Sequence, residues 1–131
     1  MHSDRRLRRL VADGTEYRWT VRHRHTAGEA CREVLTLYRA GVPTRIVFRA
    51  GEGRIVSGGA YWHSGLVATA GGDPLNLHEP RVVRAFVDEA RQLGVLPGPA
   101  ELDGWELYPA VVVRCAAAAT PGAPPGCPPG P

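Results

Sequence analysis

The fold class this sequence predicts is a single α+β domain. It has one antiparallel β-sheet of about five or six strands and one amphipathic helix packed on one face of it. Three observations predict it. Short runs of strand-type residues recur at intervals of about 8–12 residues between Gly, Pro and Asp turn signals. One later window, residues 80–93, carries apolar residues at helical spacing. A chain of 131 residues with 44% hydrophobic side chains has room for one core and little else.

The elements follow in chain order. Asp13-Gly14 lies between Arg9-Leu10-Val11 and Glu16–Val21, and a two-residue Asp-Gly loop between strand-type runs reads as a type I′ hairpin. In the second strand Tyr17, Trp19, Val21, His23 and His25 share one face and Glu16, Arg18, Thr20, Arg22 and Arg24 share the other, because successive strand side chains alternate. The aromatic set is expected inward and the arginine set outward. After a loop at Thr26-Ala27-Gly28, residues 33–39 form a third strand, 40–43 a turn and 44–49 a fourth strand, with Ile46 and Phe48 on one face. Gly51-Glu52-Gly53 turns into Arg54-Ile55-Val56, and residues 65–69 add a fifth or sixth strand. Such short, turn-separated strands describe an antiparallel meander.

Residues 80–93 predict the helix. Val82, Val83, Phe86, Val87, Ala90 and Leu93 form its apolar stripe, and Arg81, Arg84, Asp88, Glu89 and Arg91 its polar face, the pattern of a helix lying on a core. Pro80 suits the first turn and Gly94 the residue after the last. Residues 101–108 and 111–113 are expected as late edge strands. The domain is expected to span residues 7–114, after a flexible N-terminus at 1–6. Residues 115–131 hold an alanine run after Cys115 and end PGAPPGCPPGP, a composition that supplies neither ladder nor core and predicts a disordered tail.

Composition excludes several classes. No apolar stretch approaches the ~20 residues of a membrane-spanning helix, and no hydrophobic region follows the basic start, so no membrane association or export signal is expected. A cytoplasmic location follows as the expectation, in which Cys31, Cys115 and Cys127 stay reduced. All 16 basic side chains are Arg, with no Lys, and the formal net charge is +3. Arg, Ala, Gly and Pro dominate as in a GC-rich genome, so part of the arginine excess is codon usage. Residues 1–50 hold eleven Arg against five acids, and residues 51–131 hold five against eight. A basic half can recruit an anionic partner, or pack against the acidic half.

The stretch Asn76-Leu77-His78-Glu79-Pro80, leading into Val83-Arg84-Ala85-Phe86-Val87-Asp88-Glu89-Ala90, resembles small uncharacterised proteins of GC-rich actinobacteria. The resemblance covers about residues 7–109. It implies a bacterial, cytoplasmic setting and brings no activity, cofactor or site residue with it.

Candidate chemistry is sparse. His23-x-His25, with Glu29 following, is the spacing of a first cupin ligand motif, but no second His motif follows. A metal site there is weighed against two histidines at a strand end. A Cys–His dyad through Cys31 is open, because such partners meet in space. No phosphate-binding glycine loop and no nucleophile elbow is present, so no catalytic residue and no cofactor are assigned. Arg18, Arg22 and Arg24 on one strand and Arg45 and Arg49 on another project with period two, and form a basic patch if those strands neighbour each other. Tyr17 and Trp19 fall on the opposite face, which separates the aromatic groups from the basic ones. Tyr61, Trp62 and His63 lie in a Gly-flanked segment suited to a binding loop. Three functions result. The first is a non-enzymatic accessory domain that binds a protein through the outer sheet face, an edge strand or the Trp62 loop. The alternative is weak nucleic-acid binding through the arginine face. A second alternative is a small metal-dependent or cupin-like enzyme around His23, His25 and His63.

Overall fold

The computed structural model describes residues 7–56, 65–96 and 99–119. The expected N-terminal arm, the Tyr61-Trp62-His63 segment and residues 120–131 of the expected tail lie outside them. In order, the described elements are β1 (Arg8–Ala12), β2 (Thr15–Arg24), β3 (Arg32–Arg39), β4 (Val42–Arg49), β5 (Arg54–Val56), β6 (Leu66–Thr69), β7 (Leu75–Asn76), α1 (Pro80–Gln92), β8 (Ala100–Asp103) and α2 (Gly104–Ala119).

The first four strands form the expected antiparallel meander. Asp13 and Gly14 have φ of 52° and 81°, the two positive values a type I′ loop needs. The β3–β4 hairpin repeats the geometry with Ala40 and Gly41 at 53° and 82°. Arg39 pairs with Val42 across that loop and Tyr38 with Pro43. In a two-residue hairpin the second pair is the non-hydrogen-bonded kind, which tolerates proline's missing amide.

Beyond β4 the expectation of one antiparallel sheet needs correcting. The main sheet is mixed, in the order β1-β2-β3-β4-β8, and β5-β6-β7 form a separate three-stranded sheet. Gly51 and Arg54 exchange backbone hydrogen bonds of 3.0 Å in each direction, a tight turn that carries the chain off the sheet instead of back along β4. The free edge of β4 is then taken by β8, which runs parallel, with Ile46 opposite Leu102. A parallel pair needs a crossover, and the intervening chain, α1 included, supplies it.

The helix expected at 80–93 is α1. Its C-terminus is a Schellman motif: Gly94, at φ 80°, donates to the Arg91 carbonyl, and Val95 donates to the Ala90 carbonyl. Val82, Val83, Phe86, Val87 and Ala90 are buried, but Leu93 is 57% exposed. As the C-cap residue it falls where the stripe has rotated off the core, so its expected inward placement is corrected.

The third correction is α2. The residues read as late strands at 101–108 and 111–113 are β8 followed by a helix that runs through Ala119, so the helix extends past residue 114 into the segment read as tail. Asp103 caps it, its Oδ1 accepting the Trp105 amide at 3.0 Å. Trp105, Tyr108, Val111 and Cys115 are buried at intervals of three and four, the period of a helix.

One core cluster joins Tyr17 and Trp19 of β2, Leu35 and Leu37 of β3, Ile46 and Phe48 of β4, the buried residues of both helices, and Val67, Leu75 and Leu77 beside the small sheet. Phe48 sits at its centre, edge-on to Phe86 at 5.5 Å and to Trp105 at 5.2 Å. The Trp105 indole donates to the Arg49 carbonyl at 2.8 Å, and Tyr108 donates its hydroxyl proton to the Asp73 carbonyl. Polar ties complete the joint: Asp13, at the hairpin tip, accepts from Arg84 and Arg91 of α1. Arg114 of α2 donates to Glu89 and Gln92 of α1.

Candidate functional site

With both helices on the aromatic face, the other face of the main sheet carries the arginines. Register arranges them in rows across the strands. Arg24, Arg32 and Arg49 stand directly opposite one another on β2, β3 and β4. The next row on this face is Arg22, Val34, Val47 and Asp103, and the one after is Thr20, Thr36, Arg45 and Glu101. Arg18, Tyr38 and Pro43 form the last.

These rows enclose a cavity of about 350 Å³, within the range of small-ligand pockets. Its described lining comes from the main sheet and from Leu7 just before it. Val34, Thr36 and Val47 are buried at its floor, and Arg22, Arg24, Arg32 and Arg45 surround them. Arg22 and Arg32 are only half-exposed, as arginine stems lying along a sheet are.

Three guanidinium groups in one cross-strand row repel one another, since like charges directly opposite destabilise a sheet. The compensation at hand is slight. Arg32 reaches Glu29 at 3.6 Å and Arg49 reaches Glu101 at 3.7 Å, both acids well exposed, and exposed pairs of this kind contribute ~1 kcal/mol or less. Arg24 and Arg45 have no acidic partner among the described residues. Arg18 differs, because it donates to Glu16 at 3.0 Å. That contact, with Arg9 on the other side, holds the Glu16 carboxyl below its ordinary value.

Of the sequence-predicted residues, the structure therefore gathers Arg22, Arg24 and Arg45 around one cavity and aligns Arg49 with Arg24. It places Arg18 at the far end, in an ion pair. Tyr61, Trp62 and His63 lie outside the described residues. Sequence reasoning missed Arg32, Thr36 and Tyr38. The signal was available, because once β2 and β3 pair, the alternation of Arg32, Val34, Thr36 and Tyr38 puts all four on the arginine face. Tyr38 also corrects the expectation that no aromatic group shares that face with the arginines.

The opposite face, at the same end of the sheet, carries the histidines. Glu33 is fully buried on the core side, opposite both His23 and Phe48. His23 Nδ1 lies 2.5 Å from Glu33 Oε2, within hydrogen-bond reach. Beyond the end of β2, His25 Nδ1 lies 3.2 Å from Cys31 Sγ. The two histidines thus engage different partners, and among the described residues no three His, Cys, Asp or Glu side chains gather around one point. Nor does the topology of two separate sheets offer the closed barrel that a cupin needs.

Cys31 is half-exposed and Cys115 buried, and burial pushes the Cys115 thiol above its ordinary value. Because the thiolate is the reacting species, iodoacetamide at neutral pH should alkylate Cys31 at least tenfold faster than Cys115. Peptide mass mapping over time reads both rates, and equal rates would contradict the described burial.

Compared with protein-family models, curated proteins and solved structures, the chain matches none. Among the described residues no helix is long and apolar enough to cross a membrane.

Proposed function

We propose that this protein is a binding module without catalytic machinery, whose outer sheet face holds a phosphate-bearing polyanion. The observation that carries the reading is the row of Arg24, Arg32 and Arg49 in cross-strand register, beside Arg22 and Arg45 around the cavity. A sheet tolerates such a row best when an anionic partner neutralises it, and guanidinium groups suit phosphate because their planar fork donates two parallel hydrogen bonds. Rigid strands hold the groups in place, so little ordering entropy is lost on binding. A codon bias for Arg over Lys would not explain why three of them fall in one row.

The reading predicts steep salt dependence. About four phosphate contacts give a roughly 50-fold loss of affinity for a single-stranded oligonucleotide between 50 and 200 mM salt. Arg24→Ala and Arg45→Ala should each weaken binding to heparin and to the oligonucleotide, and reduce the salt slope by about one contact. Fluorescence anisotropy across a salt series measures both. Binding indifferent to salt, or a slope unchanged in both variants, would remove the support for this reading. A protein partner remains the second reading, and the same charge requires its docking segment to be acidic.

A further inference from the structure

We infer that the occupant of the outer face is a single-stranded nucleic acid, its unpaired bases entering the cavity between the arginines; this rests on the polyanion reading above. Charge alone serves any polyanion, but the lining is not charge alone. Between the Arg24–Arg32–Arg49 row and the row holding Arg18 lie two rows whose centres are Val34 with Val47 and Thr20 with Thr36. A sulfated sugar chain or a polyacidic peptide has no flat ring to lay on the apolar part of that floor. The floor does suit a polymer that alternates a charged backbone with flat apolar rings and hydrogen-bonding edges.

A duplex fails on shape. It presents phosphates outward and keeps its ring faces stacked inside, so nothing of it can fill a recess of about 350 Å³ between guanidinium walls. An unpaired strand can turn bases inward while its phosphates stay on the rim. Tyr38 supplies the stacking surface: it is half-exposed, lines the cavity and stands opposite Arg18. Aromatic rings hold unpaired bases in a sequence-tolerant way, because every base has a π-face.

Charge also orients the strand. Glu101 and Asp103 occupy the β8 edge of the two middle rows, and their carboxylates repel a backbone there. The phosphates therefore follow Arg22, Arg24 and Arg32 on β2 and β3, with Arg45 on the far wall of the recess. From Arg32 to Tyr38, six residues of strand at about 3.4 Å each span ~20 Å, which is the reach of a few nucleotides.

The test compares four probes with the full chain at one salt concentration: single-stranded DNA and RNA of one mixed sequence, the duplex DNA of that sequence, and heparin. Both single strands should bind at least tenfold more tightly than the duplex. Tyr38→Ala should weaken the single strands about tenfold and leave heparin unchanged, whereas Arg24→Ala should weaken all probes. Tyr38→Phe, which keeps the ring, should restore single-strand binding, and circular dichroism confirms that each variant is folded. Equal affinity for duplex and single strands, or a Tyr38→Ala effect as large on heparin as on the single strands, would overturn the inference and leave the polyanion reading standing. Failure of every nucleic acid and of heparin, with a polyglutamate peptide bound instead, would overturn both and favour an acidic protein partner.

Discussion

His23→Leu should destabilise the protein by about 3–5 kcal/mol, the cost of removing one partner of a buried acid–base pair. Glu33 is fully buried, with its Oε2 against the His23 ring, and the substitution removes that contact inside the core. Glu33→Leu alone should cost less, because His23 retains 17% side-chain exposure and can turn toward water. The double substitution His23→Leu with Glu33→Leu should recover most of the loss, since replacing a buried pair by packed apolar groups is often close to neutral. Urea unfolding of all three variants, read as a double-mutant cycle, measures the coupling. Additive single effects would show that the contact contributes no coupling to stability.

Phe48→Ala should be as damaging, by about 3–5 kcal/mol. The ring bridges α1 and α2 through Phe86 and Trp105, so truncation opens a cavity where three elements meet and the surroundings can collapse only by moving a helix. Gly104 explains how tight the joint is: a Cβ there would lie 2.4 Å from the Phe48 ring, nearer than carbon atoms approach. Denaturant midpoints check this prediction, and a loss below about 1.5 kcal/mol would mean that the joint closes over the gap.

Much of the fold was legible because single residues left local signatures. Asp13-Gly14 specified its hairpin, the alternation from Tyr17 to Arg24 assigned both faces of β2, and the spacing from Val82 to Ala90 with Gly94 beyond it set α1. Two features were hidden by non-local competition. The β-branched run Val111-Val112-Val113 and Pro109 both speak against a helix, yet burial of Trp105, Tyr108 and Val111 outweighs propensity, as packing does for most helices in proteins. The parallel pairing of β8 with β4 carries no short-range signal, because its partner lies more than fifty residues earlier.

The site was half legible for the same reason. Period two assigned Arg18, Arg22 and Arg24 to one side, but only pairing could reveal that Arg32 completes a row with Arg24 and Arg49. Glu33 gave no local sign of its burial, and only the pairing of β2 with β3 shows it beneath the sheet with a histidine.

Pairing of Thr44 with Ala100 has a consequence for synthesis. On the ribosome, β1 to β4 emerge first and can form hairpins at once, but their last edge stays bare until β8 has left the exit tunnel. Closing so long a loop costs entropy before the contact repays it. The nascent protein therefore passes through an interval in which Ile46 and Phe48 are only half covered, and completion of the core waits on β8 and α2.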